Sequence, residues 1–314
     1  MLIVQMKSDP LSDILSLLKP DTWVAGGLHL GGDWSVSFDA HSGIKCYAIV
    51  SGTAWLAMEG DEAPLLLEAG DCVLLPNGRR FVLARDLAFP PLAFSAMPTE
   101  EWVGGIATVN GGGDTMMLAG HFAFTGSHID LLLGSMPAII RLRDDSDKVG
   151  LRWALERLRL ELSAIQPGGV LVAKHLAHLM LIQALRIYLS TEAGRGVGWL
   201  FALADPQLAA SINAIHAHPG ARWTLPALAK IAGMSRSKFA QTFRAKTGHS
   251  PIMYLTRWRM LIACRRLIQG VDPVAVIARS LGYESESAFS TAFRRSTGYS
   301  PRNYARQQYQ AVQA

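Results

Sequence analysis

Cysteine is scarce in this chain, and its three cysteines are far apart in sequence. They stand at Cys46, Cys72 and Cys264 among 314 residues. This spacing offers neither a disulfide framework nor the close ligand pairs of a zinc site, and it fits a reducing compartment. The first ten residues also lack the long apolar core and the small-residue cleavage site of a signal peptide. The sequence therefore predicts a cytoplasmic protein.

Long apolar runs without polar side chains are missing as well. The most apolar long window covers residues 170–189, and it is interrupted by Lys174, His175, His178, Gln183 and Arg186. A membrane span tolerates so many polar residues poorly. We therefore expect a buried or interface helix here, and no membrane partner.

The residue groups on which most enzymes depend are also absent. The histidines before residue 190 show no His-x-His spacing, and no nucleophile stands out beside a base or a pair of inward carboxylates. We expect no catalytic residue, no bound metal and no cofactor. A metal-dependent enzyme stays as the least favoured alternative.

Acidic residues are rare in the last third of the chain. From Gln207 onward, 15 Lys and Arg stand against three Asp and Glu, a formal charge of +12. The preceding residues carry 15 against 22, a formal charge of −7. Such an asymmetry indicates that only the C-terminal part meets phosphate groups.

This basic part contains an internal repeat. The segment Ser235-Arg-Ser-Lys-Phe-Ala-Gln-Thr-Phe-Arg-Ala-Lys-Thr-Gly-His-Ser-Pro251 returns as Ser285-Glu-Ser-Ala-Phe-Ser-Thr-Ala-Phe-Arg-Arg-Ser-Thr-Gly-Tyr-Ser-Pro301. A short apolar helix ending in Gly precedes each copy. A helix, a Gly turn and a second helix with a Ser N-cap predict a helix-turn-helix, present twice.

Two phenylalanines in each copy define which face of the second helix is exposed. Phe239 and Phe243 are four residues apart, as are Phe289 and Phe293, so each pair faces the core of its unit. Side chains on the other faces are then free to approach double-stranded DNA. The candidate DNA-binding residues are Arg236, Ser237, Lys238, Ala240, Gln241, Arg244, Glu286, Ser287, Ser290, Thr291, Arg294 and Arg295.

The tandem repeat resembles the double helix-turn-helix of AraC/XylS-type transcription regulators over residues 206–306. The resemblance implies that bases are contacted by Ser237, Ala240 and Gln241 in the first unit and by Ser287, Ser290 and Thr291 in the second. The segment that begins at Ser250-Pro251 matches the linker helix of that family. About nineteen helical residues would span roughly 28 Å. This length is close to the ~34 Å between successive major-groove faces of DNA.

Residues 23–133 have a different character, with short β-rich runs broken by Gly, Pro and Asp. Such punctuation is typical of a sandwich or barrel. The predicted strands are Trp34–Phe38, Lys45–Val50, Thr53–Met58, Leu65–Leu67, Cys72–Leu75, Phe81–Leu83 and Thr115–Phe124.

One stretch of this region, Gly70-Asp-Cys-Val-Leu-Leu-Pro76-Asn-Gly78-Arg-Arg-Phe81, resembles the second sequence box of cupins. Upstream, Cys46-Tyr47-Ala-Ile-Val-Ser-Gly52 resembles the first turn of cupin-type sensor domains. The resemblance covers residues 8–190 and implies a cupin-like β-barrel. Tyr47 and Phe81 occupy positions where metal cupins carry histidine, so the barrel is expected to hold no metal.

The aromatic residues of the barrel leave two interpretations open. Tyr47, Phe81, Trp34 and Trp55 either line a pocket for a small organic effector or simply fill the core. Two of the cysteines leave a second alternative, because neighbouring Cys46 and Cys72 would be either small buried residues or a redox sensor. Ligand-independent regulation, with a barrel that serves only for dimerisation, is the third possibility.

The sequence thus predicts an α+β protein with three parts. Residues 1–190 form a cupin-like effector-binding and dimerisation domain, residues 191–205 a Gly-rich linker, and residues 206–314 an all-α DNA-binding domain. Two helices in residues 147–189 carry more apolar surface than one barrel covers, which predicts a homodimer. We expect a sequence-specific, effector-controlled transcription regulator, with RNA polymerase as a further candidate partner.

Overall fold

The computed structural model describes residues 9–17, 22–61, 63–76, 78–97, 102–103, 105–123, 136–142, 149–164, 166–191 and 198–313. The chain divides into two compact units. One contains residues 20–124 and 137–191, and the other contains residues 192–314 with residues 1–19 and 125–136. The domain limits expected from the sequence stay a prediction, and linker residues 192–197 lie outside the described residues.

The β-rich unit contains twelve strands among its described residues. They are β1 (Thr22–Leu30), β2 (Ser35–Phe38), β3 (Ile44–Ser51), β4 (Thr53–Met58), β5 (Leu65–Glu68), β6 (Cys72–Leu75), β7 (Phe81–Ala84), β8 (Leu92–Ala93), β9 (Trp102–Val103), β10 (Ile106–Val109), β11 (Thr115–Ala123) and β12 (Ile140–Leu142). All seven strands predicted from the sequence are present, with bounds that differ by a residue at some ends.

The strands form two sheets. The first has seven strands in the order β12-β6-β3-β11-β1-β10-β9, and the second has five in the order β5-β4-β7-β2-β8. Inward side chains of both sheets share one apolar core, which includes Leu28, Leu56 and Met117. No strand pairing joins the two sheets within the described residues. The expected cupin-type β domain is therefore confirmed, but as two facing sheets instead of a closed barrel.

Strands β1 and β10 were not predicted from the sequence, although β1 lies near the middle of the first sheet. The sequence of β1 is Thr-Trp-Val-Ala-Gly-Gly-Leu-His-Leu, and its paired glycines weaken the pattern of a strand. Tertiary pairing overrides this weakness. Strand β11 runs antiparallel to β1 along its whole length, from Thr22 opposite Ala123 to Leu30 opposite Thr115.

Two long helices follow the sheets in this unit, as the sequence predicted for residues 147–189. They are α2 (Val149–Ser163) and α3 (Gly169–Thr191). Helix α2 buries Leu151, Ala154, Leu158 and Leu162, a stripe of helical periodicity. Helix α3 is long and apolar enough to cross a membrane by length and composition alone, yet it packs against α2, β1 and β12 as a core helix does.

The second unit is helical. Its helices are α1 (Pro10–Leu17), α4 (Trp199–Ala204), α5 (Pro206–Ala217), α6 (Leu225–Ile231), α7 (Arg236–Thr247), α8 (Pro251–Gln269), α9 (Val274–Ser280), α10 (Glu286–Thr297) and α11 (Pro301–Gln313). Helix pairs α6–α7 and α9–α10 are the two predicted helix-turn-helix units. Helix α8 is the predicted linker helix between them.

The N-terminal helix packs inside this helical unit. Helix α1 contacts α5 and α8. Asp13 lies 3.4 Å from Nδ1 of His216, and Arg265 donates a hydrogen bond to the Ser16 carbonyl. His216 stacks on Trp258 with ring centroids 3.8 Å apart, and burial lowers the pKa of His216 to about 4. Helix α1 therefore belongs to the surroundings of α5 and α8, although its sequence lies ahead of the sheets.

Candidate functional site

The first helix-turn-helix is built as the repeat predicts. The Ser235 hydroxyl caps α7 by accepting a hydrogen bond from the Lys238 amide at 3.4 Å. Phe239 and Phe243 are fully buried, with ring centroids 5.5 Å apart. Gly248 ends the helix in the left-handed region at a φ of 76°, which a residue without Cβ adopts readily. These contacts fix the rotation of α7 about its own axis.

The second unit repeats each of these features. Ser285 accepts a hydrogen bond from the Ala288 amide at 3.1 Å. Phe289 and Phe293 are fully buried, and Gly298 ends α10 at a φ of 81°. The second helix of each helix-turn-helix therefore has one orientation about its own axis. The face opposite its buried phenylalanines is exposed to solvent.

The candidate DNA-binding residues lie on these outer faces. Ten of the twelve are exposed, and the two small ones, Ala240 and Ser290, are half-buried. The face of α10 has less capacity to bind bases than that of α7. The Thr291 hydroxyl donates a hydrogen bond to the Ser287 carbonyl at 3.0 Å, and the Glu286 carboxylate lies 4.0 Å from the Arg302 guanidinium. Base contacts by any of these side chains stay a prediction.

A cavity of about 410 Å³ lies between the two sheets of the β-rich unit. The neighbouring strands β1 and β11 carry small residues at its wall, where Gly26 pairs with Ala119 on the face that Tyr47 shares. The volume falls in the lower part of the range of about 300–1,000 Å³ for small-molecule sites. The other side chains at its wall include Leu28, Ser37, Phe38, Asp39, His41, Lys45, Tyr47, Phe94, Ser95 and His121.

The aromatic candidates from the sequence occupy different places around this cavity. Tyr47 lines it, and Phe81 packs behind the lining, stacked on Phe38 at a centroid distance of 4.7 Å. Trp34 belongs to the apolar core beside the cavity. Trp55 is half-buried, at a position of β4 that alternates with the core residues Ala54 and Leu56, so it lies on the other face of the strand. Only Tyr47 of the four is thus a lining residue.

Sequence reasoning missed the polar lining of the cavity. His41 and His121 each direct Nε2 to a backbone carbonyl, Leu75 at 3.1 Å and Ser42 at 2.8 Å. Burial lowers the pKa of both, to about 4 for His41, so both rings are neutral near pH 7. Lys45 is two residues before Tyr47 on β3, so both side chains lie on the same face of the strand. This spacing could have predicted Lys45 as a lining residue. Among the described residues, no group of three or more His, Cys, Asp or Glu could hold a metal ion.

Cys46 and Cys72 are neighbours, as the sequence suggested. Their Sγ atoms are 3.6 Å apart, and both side chains are buried. The contact with Cys72 and burial raise the pKa of the Cys46 thiol well above its usual value. A raised thiol pKa lowers the fraction of reactive thiolate. The pair therefore has the proximity of a redox couple without an activated nucleophile.

Comparison with known proteins agrees with this two-part architecture. A family model described as a cupin matches residues 9–190, and one described as a helix-turn-helix domain matches residues 228–307. A protein of Streptomyces antibioticus with the provisional name AraC-like transcription regulator is 38% identical over 297 residues, which are 94% of this chain and 98% of that protein. This chain belongs to the AraC-like transcription regulators.

Two further relatives are alike along most of their length. The HTH-type transcriptional regulator AlkR of Acinetobacter baylyi is 30% identical over 284 residues, covering 88% of this chain and 92% of that protein. The RCS-specific HTH-type transcriptional activator RclR of Escherichia coli is 30% identical over 301 residues, covering 94% and 96%. The predicted combination of a cupin domain and an AraC-type DNA-binding domain is thus confirmed.

Arg259 joins the two helix-turn-helix units of this regulator through several contacts. The Arg259 guanidinium, on linker helix α8, donates hydrogen bonds to the carbonyls of Pro219 at 2.7 Å and Ala221 at 2.9 Å. The same group lies over the Tyr283 ring, 5.6 Å from its centroid. The loop that precedes the first helix-turn-helix is therefore held against the turn of the second, a role of Arg259 that was not predicted from the sequence.

Two glycines make that approach possible. A Cβ on Gly220 would lie 2.3 Å from the Ser280 carbonyl oxygen, and a Cβ on Gly282 would lie 2.4 Å from that of Gly220. Either contact is far too short for a real side chain. The backbone contact and the Arg259 hydrogen bonds together set the orientation of one helix-turn-helix relative to the other.

We expect Arg259→Ala to weaken binding to a full operator by tenfold or more, because the two recognition helices lose their fixed relative position. The Pro219 carbonyl also loses its hydrogen bond from Arg259, at a cost of about 1–3 kcal/mol where it is left buried, whereas the Ala221 carbonyl keeps the hydrogen bond from the Trp223 amide. Fluorescence anisotropy on the full operator and urea unfolding would measure both effects. Arg222→Ala, which breaks the exposed pair with Glu284, is the control and should change stability little. Unchanged operator affinity in Arg259→Ala would contradict the role.

Proposed function

We propose that this AraC-like regulator reads one operator with both helix-turn-helix units and that a small organic effector in the cupin cavity controls it. The observation that carries the proposal is the pairing of two capped recognition helices with an apolar cavity in a separate unit. Gln can bind adenine through two hydrogen bonds, and Arg can bind guanine or phosphate. Gln241 and Arg244 on α7 are therefore assigned sequence reading, whereas α10 with its short side chains contributes mostly positioning.

The linker helix supports binding of both units along one side of a duplex. Helix α8 has 19 residues, from Pro251 to Gln269. At a rise of about 1.5 Å per residue, it spans roughly 28 Å. Successive major-groove faces are ~34 Å apart, so the two recognition helices are within reach of consecutive turns.

Gln241→Ala should weaken operator binding by roughly 1–3 kcal/mol and relax the preference at one base pair. Arg294→Ala should instead weaken binding across all sequences and reduce its dependence on salt, because a phosphate contact is lost. Selection of bound sequences from a random DNA pool, followed by anisotropy titrations at several salt concentrations, measures both. Gln269→Ala, an exposed glutamine at the end of α8, is the matched control. Equal losses on operator and random DNA for Gln241→Ala would refute base reading.

We also propose that the regulator is a homodimer that pairs through α2 and α3. Three large apolar side chains of α2 are exposed in the single chain: Val149 at 75%, Trp153 at 59% and Leu160 at 43%. They are spaced four and seven residues apart, on a face away from the buried stripe. The start of α3 adds exposed Val170 and Leu171. Exposed apolar side chains on two helices that pack against each other are typical of an interaction site.

Analytical ultracentrifugation of the full-length protein at micromolar concentration is expected to show a dimer. Trp153→Glu places a charge in the proposed interface and should give a monomer, since an unpaired buried charge is costly. Val271→Glu makes the same kind of change at an exposed position of the helical unit and should leave the dimer intact. A wild-type protein that sediments as a monomer would rule out this interface.

A small-molecule effector requires that the cavity bind a compound and that binding change operator occupancy. Tyr47→Ala should abolish the response to an inducer and leave operator binding in its absence intact. The measurement is a thermal-shift screen for compounds, followed by anisotropy on the operator with each hit. If Tyr47→Ala merely unfolds and a broad screen finds no stabilising compound, the aromatic residues are core and regulation is independent of ligand.

Redox control is the second candidate, and the 3.6 Å between the Cys46 and Cys72 sulfurs favours it. The relative from Escherichia coli is named as specific for RCS, which is consistent with this alternative. The raised pKa of the Cys46 thiol counts against it. Operator binding that responds to oxidant, and not to organic compounds, would decide for redox control. In either case we propose a cytoplasmic regulator without catalytic activity that contacts RNA polymerase.

A further inference from the structure

Lys45 places a cation at the wall of the cavity. Its Nζ lies 5.1 Å from the ring centroids of both Phe38 and Phe81. In the first sheet, Lys45 pairs with Leu75 on one side and with His121 on the other. Burial lowers the pKa of the Lys45 ammonium group from its ordinary value of 10.5, and the Coulombic attraction of Asp39 opposes this effect. The cation is thus held against aromatic rings and is partly removed from water.

The ammonium group has no anionic partner at close range in the part of the chain that the structure describes. The carboxylate at the cavity wall, Asp39, lies 3.8 Å from the Arg80 guanidinium, and its side chain is 81% exposed. Asp39 acts on Lys45 only through a longer-range Coulombic attraction. The neighbouring His41 and His121 are neutral and supply no negative charge.

This arrangement favours a ligand that carries a negative charge. A partly desolvated charge is stabilised most by an opposite charge that also accepts its hydrogen bonds. Cation–π attraction to Phe38 and Phe81 offsets only part of the desolvation cost. A ligand anion beside Nζ would accept hydrogen bonds from the ammonium group, while its apolar body packs on Phe38, Tyr47 and Phe94.

The number of cations limits the charge of the anion. Among the described residues that line the cavity, Lys45 is the single cationic one. A phosphate monoester carries a charge of about −1.5 to −2 near pH 7 and would retain uncompensated charge there. A carboxylate carries a single charge and is matched by one ammonium. A ligand cation would be repelled by Lys45, although aromatic rings surround it.

We propose that the effector is an amphipathic monocarboxylate, an aromatic or medium-chain acid whose carboxylate pairs with Lys45 and whose apolar body fills the space beside Tyr47. This inference rests on the proposed function, because it names the chemical class of the effector that the cavity takes. It assigns Lys45 the role of a specificity-determining residue. Tyr47 and Phe38 then supply affinity that is shared by acids and their neutral analogues.

The test compares each acid with its own amide on the full-length regulator. Phenylacetate, 3-phenylpropionate and octanoate would be titrated by isothermal calorimetry beside phenylacetamide, 3-phenylpropionamide and octanamide. The wild type should bind at least one acid tenfold or more tightly than its amide. Lys45→Met should remove this preference by weakening the acid and leaving the amide unchanged. Lys45→Gln serves as the second variant should Lys45→Met fold poorly, and Lys230→Met, at an exposed position of α6, is the matched control.

Each outcome separates this inference from the proposed function. Equal affinity for acids and amides in the wild type, or acid binding that survives in Lys45→Met and Lys45→Gln, would overturn the role of Lys45. Effector control by neutral compounds would stand in that case. Absence of binding by acids, amides and a broad neutral panel would refute the effector itself, and the monocarboxylate with it.

Discussion

Burial of two phenylalanine pairs is the constraint on which the DNA-binding half depends. Each pair is spaced four residues apart, and all four rings are removed from water. Burying such a ring contributes about 1.5–3 kcal/mol, so no other rotation of α7 or α10 competes. Because α7 and α10 each bury the face that carries their two phenylalanines, the residues on the opposite face are exposed. The polar residues of that face can change without altering the scaffold, which lets one fold serve many operators.

The cavity depends on the opposite property, namely the absence of side-chain volume. Gly26 and Ala119 pair across two adjacent strands at the cavity wall, and their absent or small side chains leave space between the sheets. Tyr47 contributes an aromatic ring to the remaining wall, together with Phe38 and Phe94. Its position resembles one where metal cupins place histidine, so the same β scaffold presents an apolar ring face to the cavity there.

The repeat made the helical unit predictable, since caps, core residues and end glycines are local features that a sequence displays. Strand positions with alternating side chains were equally visible. The contacts of Arg259 were not predictable, because its partners are the backbone carbonyls of Pro219 and Ala221, and any residue type carries such a carbonyl. Packing of α1 on α5 and α8 was hidden for a similar reason. It joins Asp13 to His216 across some 200 positions of sequence.

Alternation along β3 places the cavity and the helix pair on opposite sides of one strand layer. Lys45 and Tyr47 reach the cavity, whereas the intervening Cys46 lies opposite Gly120 on the other face. On that face, Phe122 of β11 contacts His178 of α3, with ring centroids 5.8 Å apart. A closely packed layer transmits small displacements instead of absorbing them. Only the first sheet therefore separates a ligand in the cavity from the proposed dimer helices.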